Sequence, residues 1–207
     1  MRFGVFIYEG VEPIDLATFG VLSMARRVAP EIEIITIAPQ AGPVHFSNGL
    51  VVMADFGVND APDLDVLIVT GGPGWMDQTH HRPTLDYLGH CAARHLVASV
   101  CTGGMILAAS GVLDGHKATT KKEVIEGQEV PPLNIMREQY PKIKAMTARV
   151  VDAGPVVTGG GVSLCMDVTL HLLQRLLGDK VASETARILE YSTAWQANQQ
   201  QSATVTQ

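Results

Sequence analysis

Residues 96–104 read Leu-Val-Ala-Ser-Val-Cys-Thr-Gly-Gly, a small apolar run that breaks at Cys101 into a Thr-Gly-Gly turn. The apolar stretch Met105–Ala109 follows, which predicts a buried strand, a tight turn and a helix starting just beyond the thiol. A cysteine so placed stands at the carboxyl end of a strand and near a helix N-terminus. The helix dipole and the unpaired N–H groups there favour thiolate over thiol, so the expected pKa lies below the free value of ~8.5. The arrangement is the cysteine counterpart of a nucleophile elbow, a strained turn that presents an attacking atom above a sheet. A free cysteine is otherwise a small buried apolar residue. The strand and the Thr-Gly-Gly turn favour the reactive reading for Cys101.

Three further groups bear on the same chemistry. Asp15, in Gly10-Val11-Glu12-Pro13-Ile14-Asp15-Leu16, opens the first helix after the first strand. It either satisfies backbone donors at that helix start or faces the thiol as a proton donor and acceptor. Val69-Thr70-Gly71-Gly72-Pro73-Gly74 ends a buried run in adjacent glycines, the parts of an oxyanion hole or of any tight turn. It lacks the Gly-Lys-Ser/Thr of a phosphate loop and the GxGxxG of a dinucleotide site. Thr158-Gly159-Gly160-Gly161 precedes the helix carrying Asp167 and reads mainly as a packing turn. Trp75 and Met76 either wall a small apolar pocket or pack. The seven histidines share no ligand spacing, so no metal site is expected.

The elements that must position these residues alternate along the chain. Strands are expected over Phe3–Tyr8, Glu31–Ala38, Val66–Thr70 and Leu96–Val100, and helices over Asp15–Val28, Pro83–Arg94, Ser163–Leu177 and Val181–Tyr191. Hairpins are expected at Pro43–Asp55, around Ser47-Asn48-Gly49, and at Val150–Val157, around Asp152-Ala153-Gly154. Buried strands alternating with helices imply an α/β sandwich, a mostly parallel sheet covered on both faces, with ligands beyond the carboxyl ends of the strands. Its 207 residues fit one domain, residues 1–195, followed by a polar low-complexity tail, 196–207, expected to be disordered.

With 46% hydrophobic and 17% charged residues, the composition is that of a compact globular protein. A net charge of −6 without a basic stripe argues against nucleic acid. Three widely spaced cysteines, Cys91, Cys101 and Cys165, form no disulfide framework and imply a reducing, cytoplasmic compartment. No apolar run approaches the ~18 residues of a membrane span.

Together, Gly10–Leu16, Gly71–Gly74, Ala98–Gly103, Ala118-Thr119-Thr120 and Thr158–Val162 resemble the ThiJ/PfpI superfamily over roughly Arg2 to Tyr191. Ile14-Asp15-Leu16 with Ser99-Val100-Cys101-Thr102-Gly103 is most similar to its isonitrile hydratase branch. The resemblance implies a flavodoxin-like fold, a homodimer and a stand-alone enzyme acting on a small molecule without a cofactor. It implies Cys101 as nucleophile, Asp15 as acid/base and Thr102 as a positioning group, with Gly71, Gly72 and Gly103 at substrate or oxyanion. One departure is Lys121-Lys122 after Thr119-Thr120, where many members carry a histidine, which disfavours chemistry that needs an imidazole base.

The reaction so implied is hydration of a small isonitrile to an N-formamide through a Cys101 thioimidate. Two alternatives use the same thiol: glyoxalase or deglycase action on α-dicarbonyls, and a non-catalytic, redox-responsive stress protein.

Overall fold

In the computed structural model, which describes residues 1–202 and 204–206, Arg2–Phe6 forms β1, buried from Phe3 onward. A 3-10 turn, Pro13–Leu16, leads into α1 (Ala17–Ala25), and the chain returns as β2 (Glu33–Ala38). The first expected helix therefore splits, and Asp15 sits in the 3-10 turn that Pro13 opens. A hairpin follows, β3 (Gly42–His45) and β4 (Val51–Ala54), with Asn48 (φ 61°) and Gly49 (φ 86°) supplying the positive φ its connection needs.

After β5 (Phe56–Gly57), the fully buried β6 (Val66–Val69) runs into the glycine turn and then α2 (Trp75–Gln78) and α3 (Arg82–Ala92). β7 (Leu96–Ser99) leads through Cys101 to α4 (Gly103–Ala109). Short strands β8 (Lys117–Ala118) and β9 (Lys144–Ala145) flank α5 (Pro132–Gln139). The second hairpin is β10 (Val150–Asp152) and β11 (Val156–Gly159), followed by α6 (Leu164–Leu177) and α7 (Asp179–Ile188). Last come α8 (Ser192–Gln201) and β12 (Thr204–Thr206).

Eight strands form one sheet in the order β12-β10-β11-β7-β6-β1-β2-β5, with every neighbouring pair parallel except β10–β11. Strands β6 and β7 are apolar or small at nearly every position because both faces are covered. One group of helices, α1, α6 and α7, packs together on β2 and β11, while α2, α3, α4 and α5 pack around β6 and β7. This is the α/β sandwich that the alternation predicts, and the flavodoxin-like fold that the family resemblance implies. The carboxyl ends of β1, β6 and β7 share one edge, which brings Asp15, Gly71 and Cys101 within reach of each other.

The C-terminal segment differs from expectation. Residues 192–201 are helical and 204–206 pair with β10, while 203 and 207 lie outside the described residues. Buried charges explain it. Arg149, almost fully enclosed, donates to Asp167 Oδ1 at 3.0 Å, to the carbonyl of Ser202 and to Thr204 Oγ1. Tyr191 Oη and Asn198 Nδ2 in turn donate to Asp167 Oδ2. A buried ion pair needs its remaining hydrogen bonds satisfied, and the polar residues of the segment supply them. Among the described residues no helix is long and apolar enough to cross a membrane.

Candidate active site

Cys101 holds φ 51°, left-handed backbone that costs a non-glycine residue roughly 1–2 kcal/mol. It is fixed there from three directions. Its N–H donates to the carbonyl of Gly160, its carbonyl accepts from Thr120 Oγ1 at 2.7 Å, and Gly103 N–H closes the turn onto Val100. A Cβ on Gly103 would collide with the carbonyls of Val69 and Thr70, so α4 starts tight against the end of β6 only because this position is glycine.

The Asp15 carboxyl reaches across to the glycine turn. Its Oδ2 accepts the Gly71 N–H at 2.6 Å, and no cap bond to its own helix is formed. Its second oxygen, Oδ1, is buried without a hydrogen-bond partner. The Gly71 carbonyl accepts the Glu12 N–H, which stitches the same two loops a second time. Gly72 is tied to Thr102: its N–H donates to Thr102 Oγ1 at 2.9 Å, and that hydroxyl contacts the Gly72 carbonyl at 3.3 Å.

The N–H groups of the three glycines expected at substrate or oxyanion, Gly71, Gly72 and Gly103, bond to Asp15, Thr102 and Val100, and Gly72 also lines the cavity above the thiol. The backbone N–H groups that approach the Cys101 sulfur belong to Thr102 and Val162. Val162 sits at φ 56°, a strained conformation for a β-branched residue. It escaped the sequence reading, which gave the Thr158–Gly161 run a packing role. The only signal was that run of glycines just before it.

Electrostatics overturn the expected low thiol pKa. Cys101 is 3% exposed, and burial, followed by the charge of Asp15, pushes its thiol up to about 12. The Val162 and Thr102 N–H groups and Lys121 pull the other way without prevailing. The seven-residue α4 is too short and its first donors too occupied to reverse the effect of burial. Burial also pushes Asp15 up to about 7, against the pull of Gly71 N–H, the Cys101 thiol and Lys121. Near neutral pH the pair thus holds a thiol beside a half-ionised carboxyl. Buried Cys165 lies behind them, its thiol donating to the Ile14 carbonyl at 3.6 Å and raised to about 12 by burial and by Asp15.

Above Cys101 opens a cavity of about 530 Å³. Trp75 and Met76 wall it, together with Ile14, Val130, Ile135 and Val162. Lys121 is its one cationic side chain, with Glu12 and Glu129 also on the lining. Such walls suit a small apolar molecule whose reactive atom reaches the sulfur. Among the described residues no three metal-ligating side chains are grouped.

The chain is 31% identical to the isonitrile hydratase of Pseudomonas putida over 198 residues, 94% of this chain and 80% of that protein. It is 29% identical to the HTH-type transcriptional regulator GbdR of Pseudomonas aeruginosa, covering 75% of this chain and 40% of the regulator. A ThiJ/PfpI family protein from Pseudomonas syringae superposes with TM-score 0.79 at 26% identity, covering 92% of this chain and 74% of that one. The DJ-1/PfpI family model matches residues 1–175, and the chain belongs to that family.

Proposed function

We propose that the protein hydrates small isonitriles to N-formamides, with Cys101 as nucleophile and Asp15 as its proton partner. The observation that carries this reading is the buried Asp15 carboxyl, anchored by one oxygen and unpartnered at the other, beside a protonated thiol. Similarity to an isonitrile hydratase supports it.

Because the thiol is protonated, ionised Asp15 must remove its proton as the sulfur attacks the terminal carbon of R–N≡C. The C–S bond forms, and Asp15 returns that proton to the same carbon, giving the thioimidate R–N=CH–S–Cys101. Asp15 then draws a proton from water as the water oxygen adds to that carbon and passes it to the imine nitrogen, giving R–NH–CH(OH)–S–Cys101. Collapse breaks the C–S bond, the hydroxyl proton passes through Asp15 to the sulfur, and R–NH–CHO leaves. One water is consumed and the enzyme returns to its starting state. Thr102, held by Gly72, fixes the backbone beside the sulfur. The same reading carries a cytoplasmic homodimer.

A redox-sensing role needs a thiolate open to oxidant. The protonated thiol of Cys101 supports the hydratase reading over it. Formamide release from an aryl isonitrile, wild type beside Cys101→Ala, tests the assignment. Turnover that needs Cys101 is expected; none in the wild type sinks it.

A further inference from the structure

A second cavity, about 550 Å³, opens at the carboxyl ends of β1 and β2, and no residue lines both it and the cavity above Cys101. α2 separates the two, placing Trp75 and Met76 on one and Gln78 on the other. Tyr8 is shared differently. It lines the second cavity while its hydroxyl donates to the Thr70 carbonyl on the side of Thr102.

Thr84 ties two polar groups of this cavity, Gln78 and His81, together. The Thr84 hydroxyl is fully buried and gives its single proton to Gln78 Oε1 at 2.9 Å. Its contact with His81 Nδ1 at 2.8 Å must therefore be one in which the imidazole donates. His81 then presents Nε2 outward, as an acceptor when neutral. Gln78 is 7% exposed, and with Oε1 engaged its Nε2 donates to no described residue. That nitrogen is not among the buried polar atoms lacking a partner, so it is a donor open to the cavity that Gln78 lines.

The remaining lining selects the ligand's charge. No lysine or arginine faces the cavity, and its one carboxylate is Glu9, whose oxygens accept the His45 N–H at 3.2 Å and keep further capacity. An anionic ligand would meet repulsion without a counter-charge. The donor at Gln78 asks for a carbonyl, and the acceptors at Glu9 and His81 Nε2 ask for an N–H. Pro39, Pro43 and Pro83 stiffen walls that are more polar than apolar.

We propose that this cavity is a second small-molecule site that binds a neutral primary or secondary amide, its carbonyl on Gln78 Nε2 and its N–H toward Glu9 and His81. The proposal is independent of the reaction assigned to Cys101.

Benzamide is the probe, titrated into the uniformly labelled full chain to about 20 mM, at the weak end of small-ligand affinity. Amide NMR is expected to show saturable shifts at Tyr8, Ala41, Gln78, His81 and Thr84, with Thr102 and Val162 unmoved. Gln78→Met is expected to weaken binding about tenfold, the loss of one buried hydrogen bond. Benzoate is expected to bind about fivefold or more weakly than benzamide, and Glu9→Gln, on an exposed side chain, to close most of that gap. No saturable shift at these residues overturns the proposal. So does unchanged affinity in Gln78→Met, or a preference for benzylammonium over benzamide, which would mean that the cavity offers an acceptor instead. Should Gln78→Met not fold, an unchanged benzamide-to-benzoate ratio in Glu9→Gln decides against the site.

Discussion

Asp15 and Cys101 hold one another at unequal proton affinities: the carboxylate's charge raises the thiol, whereas the thiol, as a donor, favours the ionised carboxylate. Activation of the sulfur therefore depends on Asp15 being ionised. The rate with an isonitrile should rise with pH through about 7 and level off above it. A rate that keeps climbing into the range of a free thiol would mean that Asp15 is not the base.

Replacing Asp15 with Asn should separate stability from activity. The carboxyl titrates near 3.8 when exposed and at about 7 in the fold, so the folded state binds the proton more tightly. Its contribution is fully present below 3.8 and is lost as pH rises through about 7. Asp15→Asn should thus lower kcat about a hundredfold or more, yet exceed the wild type in urea stability at about pH 8 by roughly 1–3 kcal/mol. At about pH 4 the two should converge. Equal stability at both pH values would contradict the raised pKa.

Lys121 pulls both Asp15 and Cys101 downward from the cavity wall. Lys121→Met should move the acidic limb of the rate profile upward, costing activity severalfold near about pH 6 and little near about pH 9. An unshifted profile would confine Lys121 to the wall.

Gly71 has no room for a methyl group. A Cβ there would strike the Thr102 backbone nitrogen and come within 2.7 Å of its hydroxyl and 2.8 Å of Cys101 Cβ. Gly71→Ala should displace the elbow relative to Asp15 and lower kcat about a hundredfold, with binding of unreactive analogues less affected. Full activity in a folded variant would show that the three loops tolerate separation.

The Arg149–Asp167 pair is buried on both sides. Removing one partner should cost about 3–5 kcal/mol because the other charge is stranded. Asp167→Asn is expected to show this loss by urea unfolding, with early proteolysis after Tyr191. A loss under about 1 kcal/mol would mean that water replaces the partner.

Much of the frame is legible in the sequence. β6 and β7 announce themselves as apolar runs because each is covered on both faces, and Asn48-Gly49 marks its hairpin by the φ values it permits. The elbow is legible for the same reason: a strand, a thiol and two glycines admit few other geometries. What Asp15 does is not, because a helix cap and a buried proton partner look alike until Gly71, far along the chain, supplies the hydrogen bond. The thiol's pKa goes astray because position along a helix is visible in sequence and enclosure by distant loops is not. Val162 is hidden by its type, since nothing about a valine suggests positive φ. The glutamine-rich C-terminal segment reads as solvent-loving, and only Arg149 and Asp167, brought together by the sheet, give its polar atoms a buried role.

β12 lies beside β10 as the outermost strand of the sheet, and only three residues long. It shields the edge of β10, itself three residues long, from the open backbone of a neighbouring molecule, much as a short selvedge keeps cloth from catching. Cutting the chain after Tyr191, or pulling its end outward by a bulky fusion, would uncover β10 and strand Arg149 together. The first sign of such damage should be self-association through that strand, appearing before any loss at the distant cysteine.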